Sequence, residues 1–313
     1  MEYKNLGRSG LQVSVIGLGC NNFGRRCDQE QTNAVVEKAM ELGITFFDTA
    51  DVYGPGGLSE EFLGNALRDH RRDAIIATKF VGPMGEGPLW GGASRRYIFE
   101  AVEASLKRLG TDYIDLYQVH FPDARTPIEE TLRALDDLVR QGKVRYIGCS
   151  NFAGWQVAEA HWTARSEHLS PFVSAQNQYN LLERRIEREL VPACNAYGLA
   201  VLPYFPLASG FLTGKYRSGE APPEGTRLAG AGPMAERVLT EGNFETLGKL
   251  ENFTESRGHN MVELAIGWLA SQRHVASVIA GATKPEQVEQ NVRAAEWRLS
   301  AEELAEVNAA TQR

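Results

Sequence analysis

Short apolar runs rich in β-branched and aromatic residues recur along the chain, at 13–18, 45–48, 74–79, 113–120, 144–150, 172–176, 200–205 and 275–280. Each is short enough to read as a buried strand. Between them the apolar residues switch to helical spacing. In 28–42, Val35, Val36, Ala39 and Met40 share one face, and in 95–109 Ile98, Val102, Leu106 and Leu109 do the same. The segment 126–141 carries start and stop signals, with Thr126 as N-cap, Pro127 at the first helical position, Glu129 in the first turn and Gly142 past the end.

This alternation, about eight units long, predicts an α/β fold with parallel strands. Eight units predict a closed (β/α)8 TIM barrel, for which about 250 residues are typical. The surplus of the 313-residue chain has visible homes. Its start reads as an N-terminal hairpin turning at Ser9 and Gly10, and the Gly/Pro-rich run 210–242 as a long loop after strand 7. Ser300, as N-cap with Glu303 at N3, opens a terminal helix. A doubly wound sheet shares the alternation, because alternation alone does not show closure. No composition break marks a second domain, so 1–313 reads as one.

Composition narrows the partners. A net charge of −7 argues against a nucleic-acid ligand, although an anionic cofactor can still bind through local donors. No apolar run approaches the roughly 18 residues of a membrane span. The start lacks a basic segment followed by an apolar block, so no secretory leader is expected and a reducing, cytoplasmic setting follows. Cys20, Cys27, Cys149 and Cys194 form no C-x-x-C pair, and the histidines form no metal motif. Packed, reduced thiols and no metal are the expectation.

Chemistry concentrates where the strands end. Strand 2 runs into "DTADVY", strand 3 into "TK", strand 4 into "QVH" and strand 5 into "CSN". In a barrel all these C-terminal ends meet on one face, where active sites are built. By strand alternation Lys79 shares a face with Ile75 and Ala77, and His120 with Ile114, Leu116 and Gln118. Taken singly, Lys79 could be a snorkelling end residue, His120 a hydrogen-bonded core histidine, Asp48 a turn acid and Tyr53 a packed aromatic. Four such residues at the ends of three consecutive strands argue for one site. Asp51 reads as a turn residue.

The chain resembles the aldo-keto reductase superfamily over nearly its whole length. The resemblance rests on "GLGCNNFG", "FFDTADVYG", "IATKF", "DYIDLYQVHFP", "GKVRYIGCSNF", "AQNQYNLLER", "PYFPLASGFLTGKY" and "VIAGATKPEQVEQN", in order and at the strand positions of that family's barrel. It implies a catalytic tetrad of Asp48, Tyr53, Lys79 and His120, and reversible reduction of a small carbonyl substrate with hydride from NADPH, or alternatively NADH. The phenol as proton donor has an ordinary pKa of about 10. An ammonium about 4 Å away at an effective dielectric near 20 favours phenolate by roughly 4 kcal/mol, about three pKa units, with Asp48 opposing part of that shift. His120 either orients the carbonyl oxygen or shares in proton delivery.

The resemblance further implies cofactor contacts. Ser150, Asn151 and Gln176 hold the nicotinamide carboxamide, and Tyr204 stacks on its ring. Cys20, Asn21 and Asn22 end strand 1. Pro206 to Lys215 wrap the pyrophosphate, with backbone donors from Leu207, Ser209 and Gly210. Gly281, Thr283, Lys284, Gln287 and Asn291 take the adenosine end, where Lys284 is the cation for a 2′-phosphate. Some family members carry arginine where Gln287 stands. Phe23, Val52, Phe80, Trp90 and Phe121 are expected at the substrate mouth.

Two nucleotide motifs fail on inspection. "IGLGCNN" lacks the third glycine of a dinucleotide fingerprint, and "SGFLTGKY" has its glycines too close for a phosphate loop. Two other function classes remain: a nicotinamide-binding regulatory subunit like potassium-channel β subunits, and a non-redox barrel using Lys79 as a Schiff-base nucleophile. Substrate identity and oligomeric state are not read from the sequence.

Overall fold

The computed structural model describes residues 1–230 and 232–311. A hairpin comes first, β1 (Tyr3–Asn5) antiparallel to β2 (Gln12–Ser14). Among the described residues eight parallel strands then share one sheet: β3 (Ile16–Gly19), β4 (Phe46–Asp48), β5 (Ile75–Phe80), β6 (Ile114–Val119), β7 (Val144–Ser150), β8 (Phe172–Gln178), β9 (Ala200–Tyr204) and β10 (Val278–Gly281). Each lies beside its sequence neighbour, and β10 returns to pair with β3. The seam between β9 and the approach to β10 is closed by Val201 N–H to His274 O at 2.8 Å and Ala276 N–H to Val201 O at 3.2 Å. The sheet is therefore a (β/α)8 barrel rather than an open doubly wound sheet.

The helices are α1 (Gln29–Glu41), α2 (Leu58–Ala66), α3 (Arg95–Leu109), α4 (Ile128–Arg140), α5 (Gly154–Ser166), α6 (Leu190–Tyr197), α7 (Pro233–Val238), α8 (Glu241–Glu255), α9 (Met261–Ser271), α10 (Pro285–Ala294) and α11 (Ala301–Thr311). Asp28 caps α1 by accepting the Gln31 N–H at 2.8 Å, with Gln31 reaching back to the Asp28 N–H. Ser300 and Glu303 form the same reciprocal pair before α11. None of the described helices is long and apolar enough to cross a membrane.

Three local expectations change. The run 13–18 is divided, because Val15 bonds back to Glu2 and the chain passes there from hairpin to barrel. Thr126 does not cap α4: its hydroxyl donates to Asp123 at 3.0 Å, and Pro127 takes the boundary position without a side-chain cap. The region 210–242 is not one loop, since it contains α7 and Gly242 already lies in α8.

Strand alternation sorts the core into two. Phe46, Ala77, Leu116, Leu202 and Ile279 fill the barrel interior, joined by Leu6 and Val13 from the hairpin. Phe47, Ile76, Tyr117 and Ile147 belong to the outer layer with Val35, Ile98 and Leu132 of the helices. The same alternation carries Asp48, Lys79 and Gln118 inward at the C-terminal ends of β4, β5 and β6.

Candidate active site

Register brings the strand ends to one level. Asp48 pairs across to Ala77 in β5, and Lys79 to Gln118 in β6. Lys79 Nζ donates to Asp48 Oδ2 at 2.7 Å and to the Thr49 carbonyl at 2.8 Å. The other carboxylate oxygen of Asp48 accepts from Gln176 Nε2 at 2.7 Å and from Gln118 Nε2 at 3.3 Å. Lys79 is fully buried and Asp48 nearly so. Two charges out of water are tolerated because each has both its counter-ion and further hydrogen bonds. Burial acts to lower the pKa of Lys79, but the carboxylate of Asp48 and the phenol of Tyr53 outweigh it and leave the pKa raised. Lys79 is thus held as ammonium. That charge disfavours the free amine a Schiff-base nucleophile requires.

Tyr53 sits on the turn after β4, over this pair. Lys79 Nζ lies 5.0 Å from the centroid of its ring. The Tyr53 N–H reaches Ala50 O at 3.1 Å, and the Tyr53 carbonyl accepts from Ser59 at the start of α2 at 3.0 Å. The expected lowering of the phenol pKa is not found. Burial is the largest influence and raises it, Asp48 adds to the rise, and the ammonium of Lys79 offsets only part. Desolvation of the buried ring works against phenolate and outweighs the neighbouring ammonium.

His120 follows β6, 5.8 Å from the Tyr53 ring edge to face and stacked on Phe121 at 4.5 Å. Burial first, and then the charge of Lys79, depress its pKa to about 3, so the imidazole is neutral across the physiological range. Its carbonyl accepts from Asn151 Nδ2 at 3.0 Å.

A cavity of about 540 Å³ opens above these groups. Its lining includes Asp48, Tyr53, His120 and Phe121, with Lys79 buried beneath. Cys20, Asn21 and Asn22 line it from the end of β3, and burial pushes the Cys20 thiol well up. Ser150, Asn151, Gln176 and Tyr204 line it as a connected set. Ser150 Oγ donates to Gln176 O at 2.9 Å, Asn151 Nδ2 bonds Ser150 Oγ at 3.1 Å, and Tyr204 Oη donates to Asn151 Oδ1 at 2.7 Å. Asn151 has φ +61°, a left-handed backbone that asparagine tolerates.

Pro206, Leu207, Ser209, Gly210 and Lys215 line the next part of the wall. Ala208, Ser209 and Gly210 all have positive φ, so the loop turns sharply here, and the Ala208 N–H donates to Phe205 O at 2.9 Å. Gly210 N–H is engaged internally with Leu207 O at 2.8 Å, so that expected donor is taken up by the loop itself. Gly281, Thr283, Gln287 and Asn291 line the far end. There Gln287 Oε1 accepts from the Thr283 N–H at 2.8 Å and fixes the loop before α10.

Several expected residues lie elsewhere. Lys284 is exposed at the N-cap of α10, outside the cavity lining. Phe23 and Phe80 are fully buried in the outer core, Phe80 stacked on Tyr117 at 4.7 Å. Since Lys79 faces inward, Phe80 must face the helices. Val52 packs on Gly82, where any Cβ would lie 2.4 Å from Val52 Cγ1. Trp90 is 54% exposed against Gly85, and of the five expected mouth residues Phe121 alone lines the cavity. Sequence reasoning missed Gln118 as a partner of Asp48, and missed Arg26 and Arg227 on the cavity wall. Arg26, Lys215 and Arg227 have no carboxylate partner among the described residues. Burial, then Arg26, lower the pKa of Arg227, whose guanidinium lies 5.0 Å from the Phe205 ring centroid. Gln118 was readable from its alternation with His120. The two arginines sit in loops without periodicity.

Sequence similarity to known proteins extends over nearly the whole chain. The Aldo/keto reductase family matches residues 15–312. A "Probable voltage-gated potassium channel subunit beta" of Oryza sativa subsp. japonica is 40% identical, over 94% of this chain and 91% of that protein. The "L-glyceraldehyde 3-phosphate reductase" of Escherichia coli (strain K12) is 36% identical, over 98% of this chain and 92% of its own length. The "Uncharacterized oxidoreductase YrpG" of Bacillus subtilis (strain 168) is 38% identical, over 98% and 95%. With a closed barrel, its site at the strand ends and this full-length match, the chain belongs to the Aldo/keto reductase family and is an oxidoreductase of that kind.

Proposed function

We propose that this chain is an NADPH-dependent oxidoreductase, of the class acting on alcohols with NADP+, that reversibly reduces aldehydes or ketones with Tyr53 as proton donor. The observation that carries this reading is the Tyr53 ring, with its centroid 5.0 Å from Lys79 Nζ, beside a buried Lys79–Asp48 ion pair on the floor of the cavity.

The donor set fits a nicotinamide dinucleotide. Three cations without carboxylate partners among the described residues suit phosphates, and Ser150, Asn151 and Gln176 stand together on the wall where a carboxamide is assigned. When bound, the nicotinamide supplies a hydride. The protein's work is then to hold a carbonyl and protonate its oxygen. Neutral phenol is the form that donates, and burial keeps Tyr53 in that form. Lys79 stabilises the phenolate left after transfer, and Asp48 keeps Lys79 charged and aimed. His120, uncharged, orients the carbonyl oxygen and is a poor source of the proton. Phe121, 47% exposed and stacked on His120, offers an apolar surface to the substrate. Lys284 and Thr283 are assigned to the adenosine end, with Lys284 favouring the 2′-phosphate of NADPH over NADH.

A second reading, a nicotinamide-binding redox-sensor subunit, is supported by the similarity to potassium-channel β subunits. Steady-state oxidation of NADPH against an aldehyde and ketone panel separates the two. Repeated turnover supports the enzyme, whereas one slow turnover with retained cofactor supports the sensor.

A further inference from the structure

The turn that carries Tyr53 has a side hidden from the cavity. Asp51, two residues earlier, is 1% exposed, and neither carboxyl oxygen has a hydrogen-bond partner among the described residues. It is the turn residue its sequence context suggests, but a buried one. The carboxyl of Glu60 in α2 faces the same region and is fully buried. It accepts from Thr78 Oγ1 at 2.5 Å and from Arg108 Nε of α3 at 2.7 Å. Arg108 also bonds Ser105, so the cation of this cluster is already engaged. Tyr117 of β6 brings a buried hydroxyl that likewise has no partner among the described residues. Tyr97 of α3, whose hydroxyl donates to Gly82 O at 3.1 Å, completes the surroundings.

Two carboxyls beside one engaged guanidinium cannot both ionise cheaply out of water. Burial raises the pKa of Asp51 to about 8, and the negative charge of Glu60 adds to the rise. Arg108, the nearby Val52 N–H and Lys79 act in the opposite direction and are outweighed. An uncharged Asp51 can lie buried beside Glu60 without repulsion, and a charged one repels it. The backbone around it is tied to the catalytic groups. Asp51 N–H donates to Lys79 O at 3.1 Å, Lys79 Nζ holds Thr49 O, and Ser59 holds Tyr53 O. Gly57, with φ +85°, lets α2 start against Arg108 and the Asp51 carbonyl, where a Cβ would clash.

We propose that Asp51 is a positioning residue for Tyr53: as the uncharged acid it seats the turn against Glu60, Arg108 and Tyr117, and its ionisation unseats that turn and weakens carbonyl reduction. The inference rests on the function proposed above for its catalytic consequence and on the ligand-free fold for the rest. The sign for stability follows. The folded group holds its proton to higher pH than the unfolded one, so wild-type stability falls as pH rises from about 4 to 8. Asp51→Asn, which cannot ionise, removes that fall.

The test compares wild type with Asp51→Asn by two readouts. In the ligand-free proteins, hydrogen exchange of amides 49–53 is followed at pH 6.5 and pH 9. The wild-type turn loosens at pH 9 relative to the variant. In turnover, the variant stays within about twofold of wild type at pH 6.5, while at pH 9 wild-type kcat falls about tenfold and the variant's does not, since one pH unit above its pKa an acid is about one-tenth protonated. KM for NADPH stays equal in both. Equal exchange at pH 9, or a shared alkaline fall in kcat, overturns the inference. A loosened turn in a protein that reduces no carbonyl supports the seating role and defeats the proposed function instead. Should Asp51→Asn fail to fold, a wild-type turn that stays protected through pH 9 overturns the inference by itself.

Discussion

The floor and the wall of the cavity are built on opposite terms. On the floor, at the ends of β4, β5 and β6, the charges of Asp48 and Lys79 are buried and matched, with Gln118, Gln176 and Thr49 completing the set. On the wall, formed by loops after β3 and β9, Arg26, Lys215 and Arg227 stand without carboxylate partners among the described residues. A matched floor holds one geometry whatever is bound. An unmatched wall leaves its charges for a ligand, and in a chain of net charge −7 that local excess of cations has no global origin.

The largest effect is expected where matching is complete. Lys79→Met leaves the Asp48 carboxylate buried with amide donors only. It should cost about 3–5 kcal/mol of stability, measured by urea unfolding, and abolish carbonyl reduction. A variant as stable as wild type would break the account of a mutually fixed floor. On the wall, Arg227→Ala should change stability little. It should weaken NADPH binding by about ten- to a hundredfold, as for loss of a charge-assisted bond of roughly 1.5–3 kcal/mol. Fluorescence titration checks it, and an unchanged Kd would assign Arg227 to the fold. The smallest effect belongs to Lys284→Ala, which lies outside the cavity lining. A loss of up to about fivefold for NADPH and none for NADH is expected from an exposed cation worth up to about 1 kcal/mol. Equal effects on both cofactors would remove Lys284 from phosphate recognition.

The same contrast explains what could be read from the sequence. The barrel and the floor were legible because strand periodicity is local: alternation alone puts Lys79 inward and Gln118 on the face of His120. Phe80 violates its expected place for that reason, one residue beyond an inward lysine. The burial of Phe23 and of the turn residue Asp51 is not legible in the sequence, because helices remote in sequence leave no local mark. Asp51 resembles any turn aspartate until α2 and α3 close over it. Arg227 stands in an aperiodic Gly/Pro-rich loop, where nothing in its neighbours signals that the chain folds back over the cavity. The phenol pKa of Tyr53 was misjudged from charges alone, since the degree of burial is a property of the assembled fold.

The central claim is that Tyr53 protonates the carbonyl while the wall binds the cofactor independently. Tyr53→Phe tests both parts when NADPH binding and aldehyde reduction are measured on the same preparation. The account predicts a Kd within about twofold of wild type and a reduction rate lower by about 10²–10⁴-fold, the usual worth of a positioned general acid. Near wild-type reduction by Tyr53→Phe would contradict it.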